Sequence, residues 1–210
     1  MAKDGLLFIV PLLGVTLAAL WLGWTQVVTL LILMAIFTGL FFRDPNRSIP
    51  DDPLSIVSPA DGRVVTIDDD GYHKKISIFL SIFNVHVTRS PITGTISEVS
   101  YTKGRYRAAF NNKASVDNER NKLTIEGKDL LIECSQIAGL VARRIVCWKK
   151  EGDGLKKGER FGLIRFGSRV DLKLPSSAVL QVAKGDKVKA GSSIIAKISK
   201  VKEDGDGSTF

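Results

Sequence analysis

A long uncharged segment near the N-terminus constrains this chain more than any other feature. Residues 5–42 contain no Asp, Glu, Lys, Arg or His. One helix that crosses a membrane needs about 20 apolar residues, and this segment is close to twice that length. Its most polar part, residues 23–26, lies near the middle and contains Trp24, an aromatic residue of the kind enriched at membrane interfaces. The pattern predicts a hairpin of two spans, over residues 6–23 and 27–42.

Other structures for this segment stay open. A signal peptide has a basic start, a short apolar core and a small-residue cleavage site, whereas here Lys3 is offset by Asp4 and the apolar run is longer. A buried pair of core helices, a single long tilted span and a helix lying in the interface are the remaining alternatives. The single span would put the two ends of the segment on opposite sides of the membrane.

The charge of the chain fits a position beside a lipid surface. Arg43 and Arg47 follow the apolar segment directly, and basic residues next to a span favour the cytoplasmic side. The hairpin therefore predicts an inner (cell) membrane protein, with residues 1–43 as the anchor and residues 44–210 as a domain that faces the cytoplasm. The formal net charge of +8 favours contact with anionic lipid headgroups. Nucleic acid is not predicted as a partner, because the charges are scattered and an anchor is present.

Beyond the anchor the sequence is typical of a mainly β domain. Residues 43–56 are rich in Pro and Asp and predict a linker. Alternating or β-branched segments predict short strands at 64–67, 74–80, 84–89, 93–101 and 130–134. We therefore expect a compact β-sandwich or barrel, in which residues 136–147 fit either a strand or a helix.

Two further segments stand out from the strand pattern. Residues 179–198 predict a pair of strands that resembles the hammerhead turn of lipoyl and biotinyl domains, but no lysine there has the usual Met neighbours. A lipoyl-like hairpin is therefore expected without carrier function. Residues 103–121 are polar and basic, and long irregular segments are usually functional or disordered. This segment predicts either a solvated loop or a loop that covers the substrate.

Metal and redox chemistry have little support in the sequence. Cys134 and Cys147 form no CxxC and no metal spacing, and are expected to be small buried hydrophobes in a reducing cytosol. His73 and His86 are too few for a His-based metal site, so no metal is predicted. No GxGxxG, P-loop or HExxH motif occurs.

The pair Gly167–Ser168 poses the sharpest chemical question. Glycine weakens a strand interior, so the pair predicts either a turn or a peptide bond that is meant to break. Without a Cβ, the glycine leaves its carbonyl unhindered and lets the backbone take up a strained conformation. A serine hydroxyl attacks such a carbonyl only when a base removes its proton, and histidine is the usual base near neutral pH.

Five segments, in order, resemble the phosphatidylserine decarboxylase family in its short, membrane-associated bacterial and archaeal form. They are SPADG at 58–62, NVHVTRSP at 84–91, DNERN at 117–121, QIAGLVARRIVCW at 136–148 and ERFGLIRFGSRVDLKLP at 159–175. The similarity runs over nearly all of residues 44–200. It implies a proenzyme that cuts itself between Gly167 and Ser168. The products it implies are a β chain of residues 1–167 and an α chain of residues 168–210, in which Ser168 would become a covalent pyruvoyl cofactor.

The resemblance also implies the residues of the self-cleavage. His86 matches the family's histidine and Asp61 its aspartate, so that Asp61, His86 and Ser168 would form a relay. The residues alone leave other roles open. An Asp before Gly is most often a turn residue. His86 alternates with Val85 and Val87, and therefore faces a cleft or water if the valines face the core.

Two positions depart from the longer bacterial members of that family. Phe83 stands where some of those members have a second histidine, three residues before the relay histidine. FGSRV at residues 166–170 replaces their LGST. The second difference supports the short branch of the family and leaves the cleavage chemistry intact.

The implied activity is the conversion of phosphatidylserine to phosphatidylethanolamine and CO2 by a pyruvoyl-dependent lyase. The substrate amine would form a Schiff base with the pyruvoyl carbonyl, which delocalises the carbanion left by CO2 loss, and His86 would return the proton. Ile78, Leu80 and Ile82 line a nonpolar pocket or belong to the core. The headgroup phosphate needs cationic or N–H donors, and the candidates are Arg89, Lys103, Arg105, Arg107 and Lys113. Family analogy implies a homodimer.

Other functions remain as alternatives. Archaeal relatives act on an ether lipid, archaetidylserine, with the same headgroup chemistry. A non-catalytic, membrane-tethered binding module with a lipoyl-like barrel would need neither the relay nor the Gly167–Ser168 bond. A hydrolase with Ser168 as an ordinary nucleophile lacks the GxSxG elbow.

Overall fold

The computed structural model describes residues 3–104, 118–128, 130–139, 144–165 and 167–198. These ranges form a short 3₁₀ helix at Lys3–Gly5, the helices α1 (Leu6–Trp21) and α2 (Thr25–Phe41), and fourteen strands. The strands are β1 (Ser55–Val57), β2 (Gly62–Asp69), β3 (His73–Leu80), β4 (Val87–Arg89), β5 (Gly94–Thr102), β6 (Arg120–Glu126), β7 (Leu131–Ile137), β8 (Ile145–Cys147), β9 (Gly154–Leu155), β10 (Arg160–Ile164), β11 (Ser168–Pro175), β12 (Ala178–Leu180), β13 (Lys187–Val188) and β14 (Ile194–Ile198).

The strands form three antiparallel sheets, so the predicted mainly β class is confirmed. The largest sheet has the order β13-β2-β3-β11-β7-β6-β5-β9, and the smaller sheets have the orders β1-β14-β12 and β4-β10-β8. Strand β11 lies inside the large sheet between β3 and β7. One face of β11 is fully buried in the main core, through Val170, Leu172 and Leu174. This strand begins at Ser168, so the central sheet sets the position of that residue.

Most of the predicted strands are present. Residues 64–67 and 74–80 lie within β2 and β3, and strands β5 and β7 cover most of the two later segments. Of residues 84–89 only 87–89 form a strand, because residues 81–84 form a turn instead. The ambiguous segment 136–147 contains the end of β7 and all of β8, and its residues 140–143 lie outside the described residues.

The prediction for the C-terminal strand pair is confirmed, whereas that for the long polar segment is only partly tested. Strand β12 pairs with β14 in antiparallel register, as the hairpin pattern predicted. In the polar segment, Arg120 and Asn121 belong to β6, so the segment is not a loop throughout. Residues 105–117 lie outside the described residues. Cys134 is fully buried, as predicted, whereas Cys147 is only half-buried; both thiols are free.

The apolar N-terminal segment forms two packed helices that turn at Gly23, whose φ is 73°. Helices α1 and α2 have 16 and 17 residues. In the described part of the chain, none of the helices combines the length and the apolar character that a membrane crossing requires. Large apolar side chains are exposed along both helices, among them Leu7, Leu17, Trp21 and Leu33.

The C-terminal end of α2 is attached to the β domain. Phe41 and Phe42 are almost fully buried and form a small second core with Val85, Val87 and Leu163. This second core places the last turn of α2 directly against the segment that contains His86.

The predicted linker is an ordered strap, which we define as residues 44–55. Asp44 accepts hydrogen bonds from Arg89 at 2.8 Å and from Arg160 at 2.6 Å. Farther along, Ile49 packs against Gly158 and Gly191, where a Cβ would meet the isoleucine side chain. The strap therefore holds the helices to the β domain through buried ion pairs and close packing, and does not act as a free tether.

We expect Arg89→Ala to destabilise the fold. Arg89 is 6% exposed, and its guanidinium donates to Asp44, to the Pro45 carbonyl and to the Gly158 carbonyl. Removal of one partner of a buried ion pair costs about 3–5 kcal/mol. Urea unfolding of the purified chain measures the loss, and Arg63→Ala, at an exposed arginine of β2, is the matched control.

Candidate active site

Ser168 occupies an unusual environment for a hydroxyl group. It is the first residue of β11, pairs with Leu80 at the end of β3, and is fully buried. Its Oγ has no hydrogen-bond partner among the described residues. Buried hydroxyl groups are normally satisfied, and an orphaned group costs about 1–3 kcal/mol. An unpaired, buried serine oxygen is therefore a candidate for chemistry.

Gly167 has a backbone conformation that favours glycine. Its φ is +61°, in the left-handed region where glycine carries no Cβ penalty. A Cβ built on it would meet no heavy atom within 4 Å. Backbone conformation, rather than lack of space, therefore explains glycine at this position.

His86 is buried beside the end of α2. Its ring lies 4.3 Å from the Phe41 ring, centroid to centroid, and the two planes are tilted by 35°. Nδ1 is 2.9 Å from the Asn84 carbonyl oxygen, and Nε2 is buried without a partner among the described residues. Val85 and Val87 face the second core, and the His86 ring packs on Phe41 of that same core. His86 is therefore fully buried and not open to water, which differs from the expected exposure to a cleft or to water. His73 is exposed.

Backbone contacts bring His86 and Ser168 to one corner of the molecule. Ser168 pairs with Leu80, and the Ile164 N–H donates to the His86 carbonyl at 3.2 Å. Five residues lie between Leu80 and His86 in the chain, and three lie between Ile164 and Ser168. These two backbone contacts link the chain around His86 to the chain around Ser168. The side chains of these two residues carry the unpartnered atoms.

Burial lowers the pKa of His86 from its ordinary 6.5 to about 4. Desolvation of the charged ring is the main cause, and the nearby Arg43 guanidinium acts in the same direction, while the hydrogen bond to Asn84 opposes them. The imidazole is therefore neutral at neutral pH, and Nε2 is free to accept a proton.

The lowered pKa gives a pH prediction for any step that uses His86 as a base. The neutral form persists below pH 6.5 and is lost only as the pH falls through about 4. We therefore expect the rate of such a step to stay level across pH 6.5 and to fall near pH 4. The measurement is the rate of chain cleavage in acid pulses, with the fold of uncut Ser168→Ala followed by circular dichroism over the same range. A fall centred near pH 6.5 would contradict the assignment of His86 as the base.

Asp61 has hydrogen-bond partners other than the His86 ring. Its two carboxylate oxygens each accept from Arg47 at 2.8 Å, and Oδ1 also accepts from the Ala190 N–H at 2.8 Å. In the described ranges of this uncut chain, no hydrogen bond joins Asp61 to His86. Asp61 here ties the strap to the segment after β13, which is the kind of local structural role that an Asp–Gly pair often has.

The predicted headgroup cations are distributed over different environments. Arg89 is buried and its guanidinium is engaged with the strap. Lys103 is exposed directly after β5. Arg105, Arg107 and Lys113 lie outside the described residues. Among the pocket candidates, Ile78 and Leu80 belong to the main core, and Ile82 is 42% exposed.

Three residues at this corner were not predicted from the sequence. Phe41 packs on the His86 ring, the Arg43 guanidinium donates to the Phe83 carbonyl at 2.6 Å, and the Asn84 carbonyl contacts Nδ1. Asn84 lies inside the NVHVTRSP segment, so its position was visible. Asn84 contacts His86 through its backbone carbonyl oxygen, which every residue has, so the residue type did not indicate this contact.

Comparison with known proteins gives consistent matches over the chain. A family model for phosphatidylserine decarboxylase matches residues 34–196. A phosphatidylserine decarboxylase proenzyme of Syntrophus aciditrophicus is 45% identical over 203 residues, covering 91% of this chain and 94% of the relative. The corresponding proenzyme of Solibacter usitatus is 45% identical over 195 residues, with 93% and 95% coverage. The matched range spans the positions of Asp61, His86, Gly167 and Ser168. This chain therefore belongs to the phosphatidylserine decarboxylase family.

Proposed function

We propose that this chain cuts itself before Ser168 and then decarboxylates phosphatidylserine to phosphatidylethanolamine and CO2. The observation that carries the proposal is the buried Ser168 Oγ without a partner, directly after a left-handed glycine. The unpartnered Nε2 of His86 belongs to the same corner. The names of the relatives, which are decarboxylase proenzymes, support both the activity and the processing.

The self-cleavage begins with proton transfer from Ser168 Oγ to Nε2 of His86. Oγ then attacks the Gly167 carbonyl, and the peptide bond is exchanged for an ester while the amine of residue 168 is released. Loss of the Cα proton of residue 168 expels the Gly167 carboxylate and leaves dehydroalanine. Addition of one water and loss of one ammonia convert that residue to a pyruvoyl group.

The position of residue 168 in the sheet is compatible with a pyruvoyl group. The group derives from Ser168 itself, and β11 pairs on both sides just after it, with β3 and with β7. A pyruvoyl group supplies an electron sink for the carbanion that CO2 loss creates. Burial separates the site from bulk solvent, and the neutral His86 can hold and return a proton at Nε2.

We propose that α1 and α2 anchor the enzyme in the membrane, with residues 1–43 as the anchor and residues 44–210 as the catalytic domain. The helices extend about 24–26 Å at 1.5 Å per residue, and the hydrocarbon core is about 30 Å thick. Insertion from one side, with the Trp21–Trp24 tip near the opposite interface, suits helices slightly shorter than the hydrocarbon core. Arg43 at the base would remain on the cytoplasmic side, near anionic headgroups.

Anchoring by the helices predicts the effect of charges on their exposed faces. Leu17 and Leu33 are 68% and 60% exposed, and an Asp inside a bilayer costs about 3 kcal/mol. We expect Leu17→Asp with Leu33→Asp to weaken binding to anionic phospholipid vesicles at least about tenfold. Vesicle flotation measures the binding, and Val179→Asp, at an exposed apolar residue of β12, is the control. Unchanged flotation of the double variant would contradict the anchor.

The headgroup site and the oligomeric state are also proposals. With Arg89 engaged by the strap, Lys103 is the described candidate whose side chain is exposed for the phosphate. If Arg89→Ala abolished decarboxylation without loss of stability, Arg89 would instead be a headgroup ligand. A homodimer remains a prediction, which light scattering in detergent would test.

The first test of the proposed function is an intact-mass spectrum under denaturing conditions. We expect two chains, one that ends at Gly167 and one that begins at residue 168. The second chain should be lighter by one ammonia than the same chain with an intact N-terminal serine. Release of CO2 from phosphatidylserine vesicles should accompany the processed form. A single mass for the full chain after prolonged incubation, without CO2 release, would overturn the proposal.

A further inference from the structure

We propose that the turn formed by Ser81 and Asn84 is a positioning device that sets the tautomer of His86. The proposal rests on the function proposed above, in which His86 is the base. A carbonyl oxygen can only accept a hydrogen bond, so the contact of 2.9 Å between Nδ1 and the Asn84 carbonyl requires the proton on Nδ1. In the neutral ring the lone pair is then on Nε2, which is the unpartnered atom.

Three hydrogen bonds close this turn. The Asn84 N–H donates to the Ser81 carbonyl at 3.0 Å. In return, the Asn84 side-chain oxygen accepts from the Ser81 N–H at 2.9 Å and from the Ser81 hydroxyl at 2.7 Å. The side chain of Asn84 thus fixes the backbone of the same residue, whose carbonyl contacts the histidine.

Packing contributes little to holding the turn. Its two middle residues, Ile82 and Phe83, are 42% and 75% exposed. Besides the three bonds within the turn, the Arg43 guanidinium donates to the Phe83 carbonyl at 2.6 Å. Because these two side chains are not buried in a core, the geometry of the turn that leads into Asn84 depends on hydrogen bonds, and loss of the Asn84 side chain removes two of them.

Asp61 does not fill this role in the uncut chain. Its carboxylate is engaged by Arg47 and by the Ala190 N–H. In the serine protease relay, a carboxylate on Nδ1 selects the tautomer, and loss of that selection slows the reaction by about 10⁴-fold. Here a neutral backbone carbonyl makes the same selection for the self-cleavage step.

Histidine ¹⁵N NMR of the uncut Ser168→Ala chain tests the tautomer directly. The chain has two histidines, and the exposed His73 serves as the internal reference. We expect His86 to have the proton on Nδ1 in this background and in Asn84→Asp, which keeps a side-chain oxygen for Ser81. In Asn84→Ala we expect a mixture of tautomers. Asn46→Ala, at an exposed asparagine of the strap, is the matched control and should change nothing.

The rate of self-cleavage in chains that retain Ser168 is the second readout. We expect Asn84→Ala to slow cleavage by about tenfold or more, with rescue by Asn84→Asp. An unchanged tautomer and rate in folded Asn84→Ala would overturn the proposal, as would a tautomer that changes in Asp61→Asn but not in Asn84→Ala. If the parent chain never cuts, the function fails while the NMR result still decides the tautomer. If Asn84→Ala does not fold, the comparison of Ser81→Ala with the parent chain replaces it.

Discussion

Ser168→Ala is expected to yield one uncut chain of 210 residues with no decarboxylase activity. Alanine has no oxygen to attack the Gly167 carbonyl and no route to a pyruvoyl group, so both processing and catalysis are lost together. The fold should persist, because Ser168 Oγ makes no hydrogen bond among the described residues. Removal of an unsatisfied buried hydroxyl should leave the free energy of unfolding unchanged or raise it. Intact mass, CO2 release and urea unfolding measure the three effects.

The control for this variant is Ser177→Ala, at an exposed serine in the turn after β11. It should be cut and active like the parent chain. A Ser168→Ala chain that is still cleaved before residue 168 would point to a contaminating protease. A Ser168→Ala chain that keeps full activity would exclude the pyruvoyl mechanism and favour another reaction centre.

Replacement of His86 is expected to slow self-cleavage by about 10²–10⁴-fold, the usual contribution of a positioned general base. His86→Gln keeps a polar side chain of similar length, and His86→Ala leaves a cavity beside Phe41. Time-resolved intact mass measures the rate of cleavage. Added imidazole should restore part of the rate in His86→Ala, because the cavity has the shape of the missing ring.

The histidine prediction has its control in the same chain. His73→Ala removes an exposed histidine at the start of β3 and should leave cleavage unchanged. If folded His86→Gln and His86→Ala chains both cut at the parental rate, another group is the base.

The sequence predicted the local features of this protein well. The uncharged segment indicated two helices with a break near Gly23, and alternation indicated β2, β3, β5 and β7. These features follow from hydrophobic patterns over a few neighbouring residues, which can be identified directly in the sequence. The Gly167–Ser168 pair was also noticeable in the sequence, since a glycine at the start of a strand indicates a backbone conformation that other residues avoid.

The features that escaped prediction depend on contacts between distant residues. The strap was predicted to be a linker, because nothing near Asp44 indicates Arg89, which lies 45 residues away. Residues 84–86 were predicted to be strand because NVHV has a β-branched pattern, yet the Asn84 side chain bonds to Ser81 and makes a turn. Local hydrogen bonds of asparagine compete with strand formation in this way.

Strand β11 makes the proposed cut a change that happens once in the life of each molecule. The α chain would begin inside the eight-stranded sheet, with β11 hydrogen-bonded to β3 and β7, and β13 bonded to β2. Its last strand, β14, pairs with β1 of the other product. The strands of the two products would therefore alternate within the sheets, and neither chain could separate without breaking the strand pairing of the other. If the cut occurs as proposed, a damaged α chain could not be exchanged for a new one, and the whole enzyme would have to be replaced when its cofactor is damaged.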